Sequence, residues 1–456
     1  MLLIDKYPVV NDDVFFKLYP DSKSSITKGS NQTLDLSPSG FKIYKFCKGD
    51  RTIREIHSEL ISNYELPIDS LVAFFSEAQS KGYISILDAS RKKELNLYGS
   101  TEYYTPQSVS ITLTNSCNLR CSYCYGNFAP EGRSSFTLNE IEDTFKKLKE
   151  QGVLFVELSG GEPLIVTEIE NIILKTFDYF LRTSILTNGA LFTDSIIKLL
   201  EINKDRVYIQ VSIDGCTEET NYKVRGTKNT WERTLSNIKK LIAHNIQFRI
   251  AYVITNENKH ELLQTCKLMM EIGVKDMAIS IADGIGRGAD LRNPDNLSLS
   301  NRDSIYNKEL DSLLIEADKK YKSILLNSKL KAKYSEMEVD AYNCGAGWKL
   351  IVLEPNGDIC ACQMLGSISK IGNINDSKME NIFQNPIANF FQTFRKSKTD
   401  NACIGCAYHN YCSSCITRIF LANKDRLSKG EDFCEIVKKN SMDTIFDFNS
   451  KINFNI

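Results

Sequence analysis

Histidine is scarce, with four among 456 residues. That excludes mixed Cys/His zinc sites as the general account of the fourteen cysteines. No apolar run approaches the ~20 residues that a membrane helix needs. The first stretch, Met1 to Lys17, lacks a basic region followed by a long apolar one, so no secretory signal is read there. The expected location is cytoplasmic. Net charge is also small, −1 at pH 7, which gives no basic balance of the kind that draws nucleic acid or an anionic membrane. Neither partner is expected. There is no short repeat and no low-complexity tract. In a reducing compartment a disulfide framework of this size is out of place, and clustered cysteines read as metal ligands.

What remains is a chain long enough for about three domains at ~150 residues each. Its hydrophobic share of 42% and charged share of 25% are those of a globular protein. The most informative residues are Cys117, Cys121 and Cys124, spaced C-x3-C-x2-C directly after the apolar run Val109–Leu113. Three thiolates this close can hold three corners of a cubic iron–sulfur cluster and leave the fourth iron open to a small molecule. Eight further cysteines fall between 340 and 440: Cys344, Cys360, Cys362, Cys403, Cys406, Cys412, Cys415 and Cys434. Cys47, Cys216 and Cys266 stand alone and read as packing residues.

Residues 1–95 form a first small domain on pattern. Strands are expected at Val14–Tyr19, Ser25–Thr27 and Gln32–Leu36. A helix follows from Pro38, a second over Thr52–Leu60 with a Thr52/Glu55 capping box, and a third over Pro67–Gly82, before a strand at Tyr83–Leu87. This is a winged-helix-like arrangement. The polar stretch 88–104 reads as a linker. Over 105–320 strands alternate with helical patterns: Val109–Leu113, Leu154–Leu158, Thr183–Thr187, Val207–Ile213, Gln247–Ile254 and Met277–Ile281. Such alternation implies an α/β fold with parallel strands and crossover helices, and chemistry at the C-terminal strand ends. Residues 340–440 have little periodicity, so metal is the expected staple there.

The cysteine triplet, with Tyr123 before its third member, resembles that of the radical S-adenosylmethionine enzymes. Gly160, Gly161, Glu162 and Pro163 after the next strand match the segment that in this family meets the methionyl amino group of the cofactor. Ser212 and Arg225 match positions that contact its ribose and carboxylate; Asn188 stands at a comparable strand end, and Asp214 reads as structural. The resemblance implies a partial (β/α)6 TIM-like barrel over 105–320. It also implies a catalytic 4Fe–4S cluster on Cys117, Cys121 and Cys124. The open iron chelates S-adenosylmethionine, and one electron releases a 5′-deoxyadenosyl radical that takes hydrogen from the substrate.

The downstream cysteines resemble the SPASM extension of radical enzymes that modify peptides, which carries two auxiliary iron–sulfur clusters. The usual pattern has three residues between the last close pair, where here there are two, Ser413 and Ser414. By this resemblance Cys344, Cys362 and Cys415 hold the first auxiliary cluster, and Cys403, Cys406, Cys412 and Cys434 the second. Cys360, two residues from Cys362 and on the same side of an extended chain, either completes the first cluster, lies beside its open iron, or is a free buried thiol.

The first domain resembles the leader-recognition elements of peptide maturases, which capture a leader as an added strand against a helix. Gln32–Leu36 and Pro67–Gly82 are the candidate walls. Asn343–Lys349 and Gly286–Asp290 resemble segments of the sactipeptide maturases, which join a cysteine sulfur to a carbon of an acceptor residue. The resemblance implies a precursor peptide as partner and a flavodoxin or ferredoxin as reductant. The alternatives are a carbon–carbon crosslinking maturase, a formylglycine-generating sulfatase maturase, and a zinc-binding winged-helix regulator.

Overall fold

A computed structural model of the chain describes residues 2–391 except 21, 30–32, 63–64, 133–134, 283–284, 292–307, 326–344, 376–378, 385–386 and 389–390. Cys344, Cys403, Cys406, Cys412, Cys415 and Cys434 lie outside the described residues. One compact unit comprises residues 1–107 with 147–154, and the other comprises 108–146 with the chain from 155 onward.

In the first unit β1 (Tyr7–Val10), β2 (Val14–Leu18), β3 (Ser24–Lys28) and β4 (Leu34–Leu36) precede α1 (Pro38–Lys45), α2 (Ile53–Leu60) and α3 (Ile68–Ser80), followed by β5 (Ile84–Leu87) and β6 (Asn96–Gly99). Local chemistry sets the helix starts. The Ser37 hydroxyl accepts from the Gly40 N–H with proline at the first helical position, and Thr52 and Glu55 exchange the two bonds of a capping box. Phe16, Ile26, Phe41, Tyr44, Ile56, Leu71 and Phe75 meet in one core, which buries the apolar face of each amphipathic element.

The strand order is β4-β3-β2-β6, and β1 pairs with β5 in a separate antiparallel ribbon. The stretch expected as a linker contributes β6, which runs parallel to β2. Its four residues alternate between half-buried and exposed, and an edge strand this short carries too little apolar pattern to announce itself. Lys17 on β2 is 1% exposed. Its ammonium donates to the carbonyls of Pro106 and Gly152 at 2.8 Å each and of Gln151 at 3.2 Å.

In the second unit β7 (Ser108–Thr114), β8 (Phe155–Gly160), β9 (Arg182–Thr187), β10 (Val207–Ser212), β11 (Phe248–Ile254) and β12 (Met277–Ile281) lie side by side in chain order, all parallel. The helices α4 (Leu138–Glu150), α5 (Ile169–Tyr179), α6 (Asp194–Ile202), α7 (Glu218–Arg225), α8 (Trp231–Ala243) and α9 (Leu262–Glu271) fall between them. This is the expected α/β fold with six parallel strands. Alternation is plain in β10, where Val207, Ile209 and Val211 are buried while Tyr208, Gln210 and Ser212 are half-buried.

The sheet does not stop at the barrel. Strand β13 (Leu350–Leu353) pairs parallel with β7, and β14 (Asp358–Cys360) and β15 (Lys370–Asn373) add antiparallel beyond it. The start of the cysteine-rich region therefore does bury apolar residues as an extension of the barrel sheet: Ile351, Val352, Leu353 and Ile359 are fully buried. Metal is not its sole staple. Among the described residues no helix is long and apolar enough to cross a membrane.

Candidate active site

Strand β7 ends at Thr114 and runs straight into the cysteine loop. Cys117 is buried and Cys121 and Cys124 half-buried, and all three share one cluster with Leu119, Tyr125 and Phe128. None is in a disulfide. The loop is held from outside itself. Cys117 N–H donates to Ala129 O at 3.1 Å, Arg120 N–H to Arg225 O at 3.1 Å and Ser122 N–H to Val224 O at 2.9 Å, so the C-terminal turn of α7 braces it.

Burial pushes the Cys117 thiol up to about 12. Burial likewise raises Cys121 to about 11, with Arg225 and Arg287 pulling the other way. Cys121 and Cys124 push Cys117 further up, and Cys124 does the same to Cys121. Metal binding at Cys117 and Cys121 would therefore release protons.

Gly160 and Gly161 close the site from β8. Gly160 has φ +121°, and a Cβ at Gly161 would collide with Ser116 O. Glycine here admits the cysteine loop itself, whereas the sequence motif alone had pointed to approach by a ligand. Gly161 N–H donates to Thr114 O at 2.8 Å and Glu162 N–H to Ser116 O at 3.0 Å. The Glu162 side chain is fully buried. It accepts from Leu164 N–H at 3.0 Å, Thr187 Oγ1 at 2.7 Å and Asn188 N–H at 2.8 Å. Burial lifts its carboxyl to about 6 against these three donors. Glu162 therefore ties the β8 turn to the end of β9, with Pro163 opening the short 3-10 turn that follows. Asn188 continues the chain of contacts, its Nδ2 donating to Asn118 Oδ1 at 2.8 Å, between the first and second cysteines.

Ser212 stands half-buried at the end of β10. Just beyond it, Asp214 is fully buried and pairs with Arg225 at 2.8 Å. Tyr123 OH donates to Asp214 Oδ2 at 2.6 Å and lies 3.1 Å from an Arg225 Nη2 donor. Burial opposes the guanidinium charge, and Asp214, Tyr123 and Cys121 together more than restore it. The same burial raises the Tyr123 phenol well above its ordinary range. Asp214, read as structural from the sequence, is the charge partner of a candidate cofactor ligand. Arg225 Nε is buried with no partner among the described residues.

Two residues here escaped the sequence reading. Asn118 lies inside the motif and shows its role only once β9 is folded against it. Arg287 contacts the loop from beyond β12, and its signal was only the Gly286–Asp290 segment. Downstream, Cys360 is fully buried at the end of β14 with its thiol raised by burial to about 12, while Cys362 is half-buried just outside the strand. Cys266 is fully buried in the barrel and Cys47 in the first core, as packing residues are, whereas Cys216 is half-buried and its Sγ donates to Glu261 Oε2 at 3.2 Å.

Residues 111–269 match the model of the radical SAM superfamily, and residues 344–415 match the SPASM iron–sulfur cluster-binding domain. The antilisterial bacteriocin subtilosin biosynthesis protein AlbA of Bacillus subtilis is 25% identical over 93% of this chain and 95% of its own. The sporulation killing factor maturation protein SkfB of the same organism is 30% identical over 41% of this chain and 44% of its own. Among solved structures, Streptococcus suis SuiB bound to its precursor peptide SuiA superposes with a TM-score of 0.62 at 16% identity, over 91% of this chain and 96% of that one. That likeness shows the fold.

Proposed function

From a chain that carries a radical SAM domain followed by a SPASM iron–sulfur domain, we infer a peptide maturase that forms thioether crosslinks. It joins a cysteine sulfur to a carbon of an acceptor residue in a ribosomally made precursor peptide. The observation that carries this reading is the seating of the C-x3-C-x2-C loop against Gly160–Pro163 and the end of β9. With S-adenosylmethionine bound, Cys117, Cys121 and Cys124 would hold the cluster that gives the radical chemistry for hydrogen removal from the acceptor carbon. The backbone of Gly160–Pro163, with Asn188 beside it, would line the amino-group side of that cofactor, and Ser212 would line its ribose. Arg225 spends one face on Asp214, which leaves its unpartnered Nε for the cofactor carboxylate.

Three clusters are proposed. Cys344, Cys362 and Cys415 hold the first auxiliary cluster, with Cys360 beside or on it, and Cys403, Cys406, Cys412 and Cys434 hold the second. Joining S–H and C–H into C–S releases one hydrogen atom, one proton and one electron. The hydrogen atom goes to the deoxyadenosyl radical, the proton to solvent and the electron to an auxiliary cluster. A flavodoxin or ferredoxin is the proposed reductant, and the cytoplasm the proposed location. Domains are placed at 1–95 for leader recognition, 105–320 for the barrel and 340–440 for the auxiliary clusters.

The zinc-regulator alternative gains no support from helix α2. Arg54 on α2 pairs with Asp5 at 2.9 Å and Arg51 pairs with Glu59, so these cations are engaged within the chain. The test is co-expression with a cysteine-rich peptide encoded next to this gene, followed by mass spectrometry. Loss of two hydrogens per crosslink is expected. An unchanged peptide mass, or anaerobically purified protein without iron and sulfide, refutes the reading.

A further inference from the structure

We infer that Arg287 is a positioning residue for the cluster loop: from beyond the last barrel strand it ties three loop carbonyls together and leaves a cation beside Cys121. The inference rests on the radical SAM reading of that loop.

The geometry is specific. Arg287 Nε donates to Cys121 O at 2.8 Å, and Nη2 donates to Phe128 O at 2.8 Å. Its backbone N–H donates to Cys124 O at 2.9 Å. One residue thus holds the carbonyls of the second and third cysteines and of the apolar residue that packs on them. The preceding glycine makes this reach possible. Gly286 has φ +58°, and a Cβ there would collide with Cys124 O and Tyr125 O. The internal bonds of the loop are long by comparison, 3.3 Å for Cys124 N–H to Cys121 O and 3.5 Å for Asn127 N–H to Cys124 O. They fix its shape weakly. A planar guanidinium satisfies two carbonyls in fixed directions, which an ammonium cannot do.

Charge adds a second role. The Arg225 guanidinium is balanced by Asp214, whereas Arg287 makes no ion pair among the described residues. Its Nε lies 2.8 Å from the Cys121 carbonyl, which sets the guanidinium beside the second cysteine. An electron entering the cluster would add negative charge at that point, and a guanidinium beside Cys121 would stabilise the reduced state and raise its potential.

The test uses reconstituted full-length protein as parent, Arg287→Lys and Arg287→Gln. A Cys117/Cys121/Cys124→Ala variant identifies which resonance in potentiometric EPR belongs to this cluster. In Arg287→Gln the midpoint is expected to move to lower potential, and iron from this cluster to pass to a chelator roughly tenfold to a hundredfold faster, the range for lost outer-shell partners. Arg287→Lys keeps the charge and loses the fork, so it retains the parent potential while still releasing iron faster. Parent values of both quantities in Arg287→Gln overturn the proposal. If that variant does not fold, iron release at the parent rate in Arg287→Lys overturns it. Parent protein that binds no iron overturns it together with the radical SAM reading; iron bound and indifferent to Arg287 overturns this inference alone.

Discussion

Arg225 Nη2 stands 2.8 Å from Asp214 Oδ2, with the two side chains 5% and 0% exposed. The other Asp214 oxygen accepts from Val253 N–H at 2.8 Å, so one carboxylate joins β11, α7 and, through Tyr123, the cysteine loop. Asp214→Asn leaves a buried guanidinium without its counter-charge. The expected cost is about 3–5 kcal/mol, read as a lower denaturant midpoint. Tyr123→Phe removes two hydrogen bonds, to Asp214 and from Arg225, and keeps the ion pair, so its expected cost is about 1–3 kcal/mol. The paired replacement Asp214→Leu with Arg225→Met is expected to cost less than the sum of its single changes, since neither charge is then left alone. Additive losses would show that the two residues are not coupled.

Glu162 offers a pH test. Its carboxyl sits at about 6 in the fold against an ordinary 4.5, so the folded state holds a proton that the unfolded chain releases. The stability from that proton is fully present below about 4.5 and is lost as pH rises through about 6. In Glu162→Gln this segment of the stability–pH curve flattens. The variant also keeps one acceptor oxygen for three donors, which costs about 1–3 kcal/mol. Because Asn188 N–H is one of those donors, the KM for S-adenosylmethionine is expected to rise more than kcat falls. An unchanged KM would separate Glu162 from the cofactor site.

The cysteine triplet, the glycine–glutamate turn and the strand ends were legible because each is a short segment whose residue types serve one chemistry. The partnership of Arg225 with Asp214 was not legible, since eleven positions separate residues that meet only when α7 folds back on β10. Arg287 is further from sequence logic still, acting on carbonyls 159 and 166 positions away. Carbonyls leave no trace in residue type, so only Gly286, with its left-handed φ, marks the approach. The extension of the barrel sheet by β13 was hidden by attention to cysteine: Leu350-Ile-Val-Leu353 is a plain buried strand in a region read for its metal ligands.

Lys17 tests how the first unit is held to its 147–154 segment. Burial pushes its ammonium down to about 7 from 10.5. A base with a depressed folded value binds fewer protons folded than unfolded, so its linked stability is present above 10.5 and lost as pH falls through about 7. Unfolding measured at neutral and at mildly alkaline pH should therefore show stability increasing with pH. Lys17→Met abolishes that slope. It also strips a donor from the Pro106, Gln151 and Gly152 carbonyls, at a cost of about 1–3 kcal/mol. A variant with the parent slope would mean that other groups carry it.

Strand addition by the proposed leader is testable at β4. Strand β4 is the edge of the four-stranded sheet and has two exposed residues out of three, Leu34 and Asp35. A peptide added there pairs with the backbone N–H and C=O groups that β3 does not use, so its affinity depends on main-chain geometry more than on side chains. Asp35→Pro removes an N–H from this strand and locks φ, and the denaturant midpoint of the variant reports whether the core built on Phe16 and Ile26 holds. The expected result is at least about a tenfold weaker Kd for a leader peptide by fluorescence anisotropy. Deoxyadenosine formation without peptide is expected to stay at the parent rate, because the cluster loop is untouched. Asp35→Ala keeps the N–H and serves as the control, with binding near the parent value. If Asp35→Pro binds the leader as tightly as parent, the peptide does not add to β4; if both variants fail alike, the side chain and not the strand edge is what the leader reads.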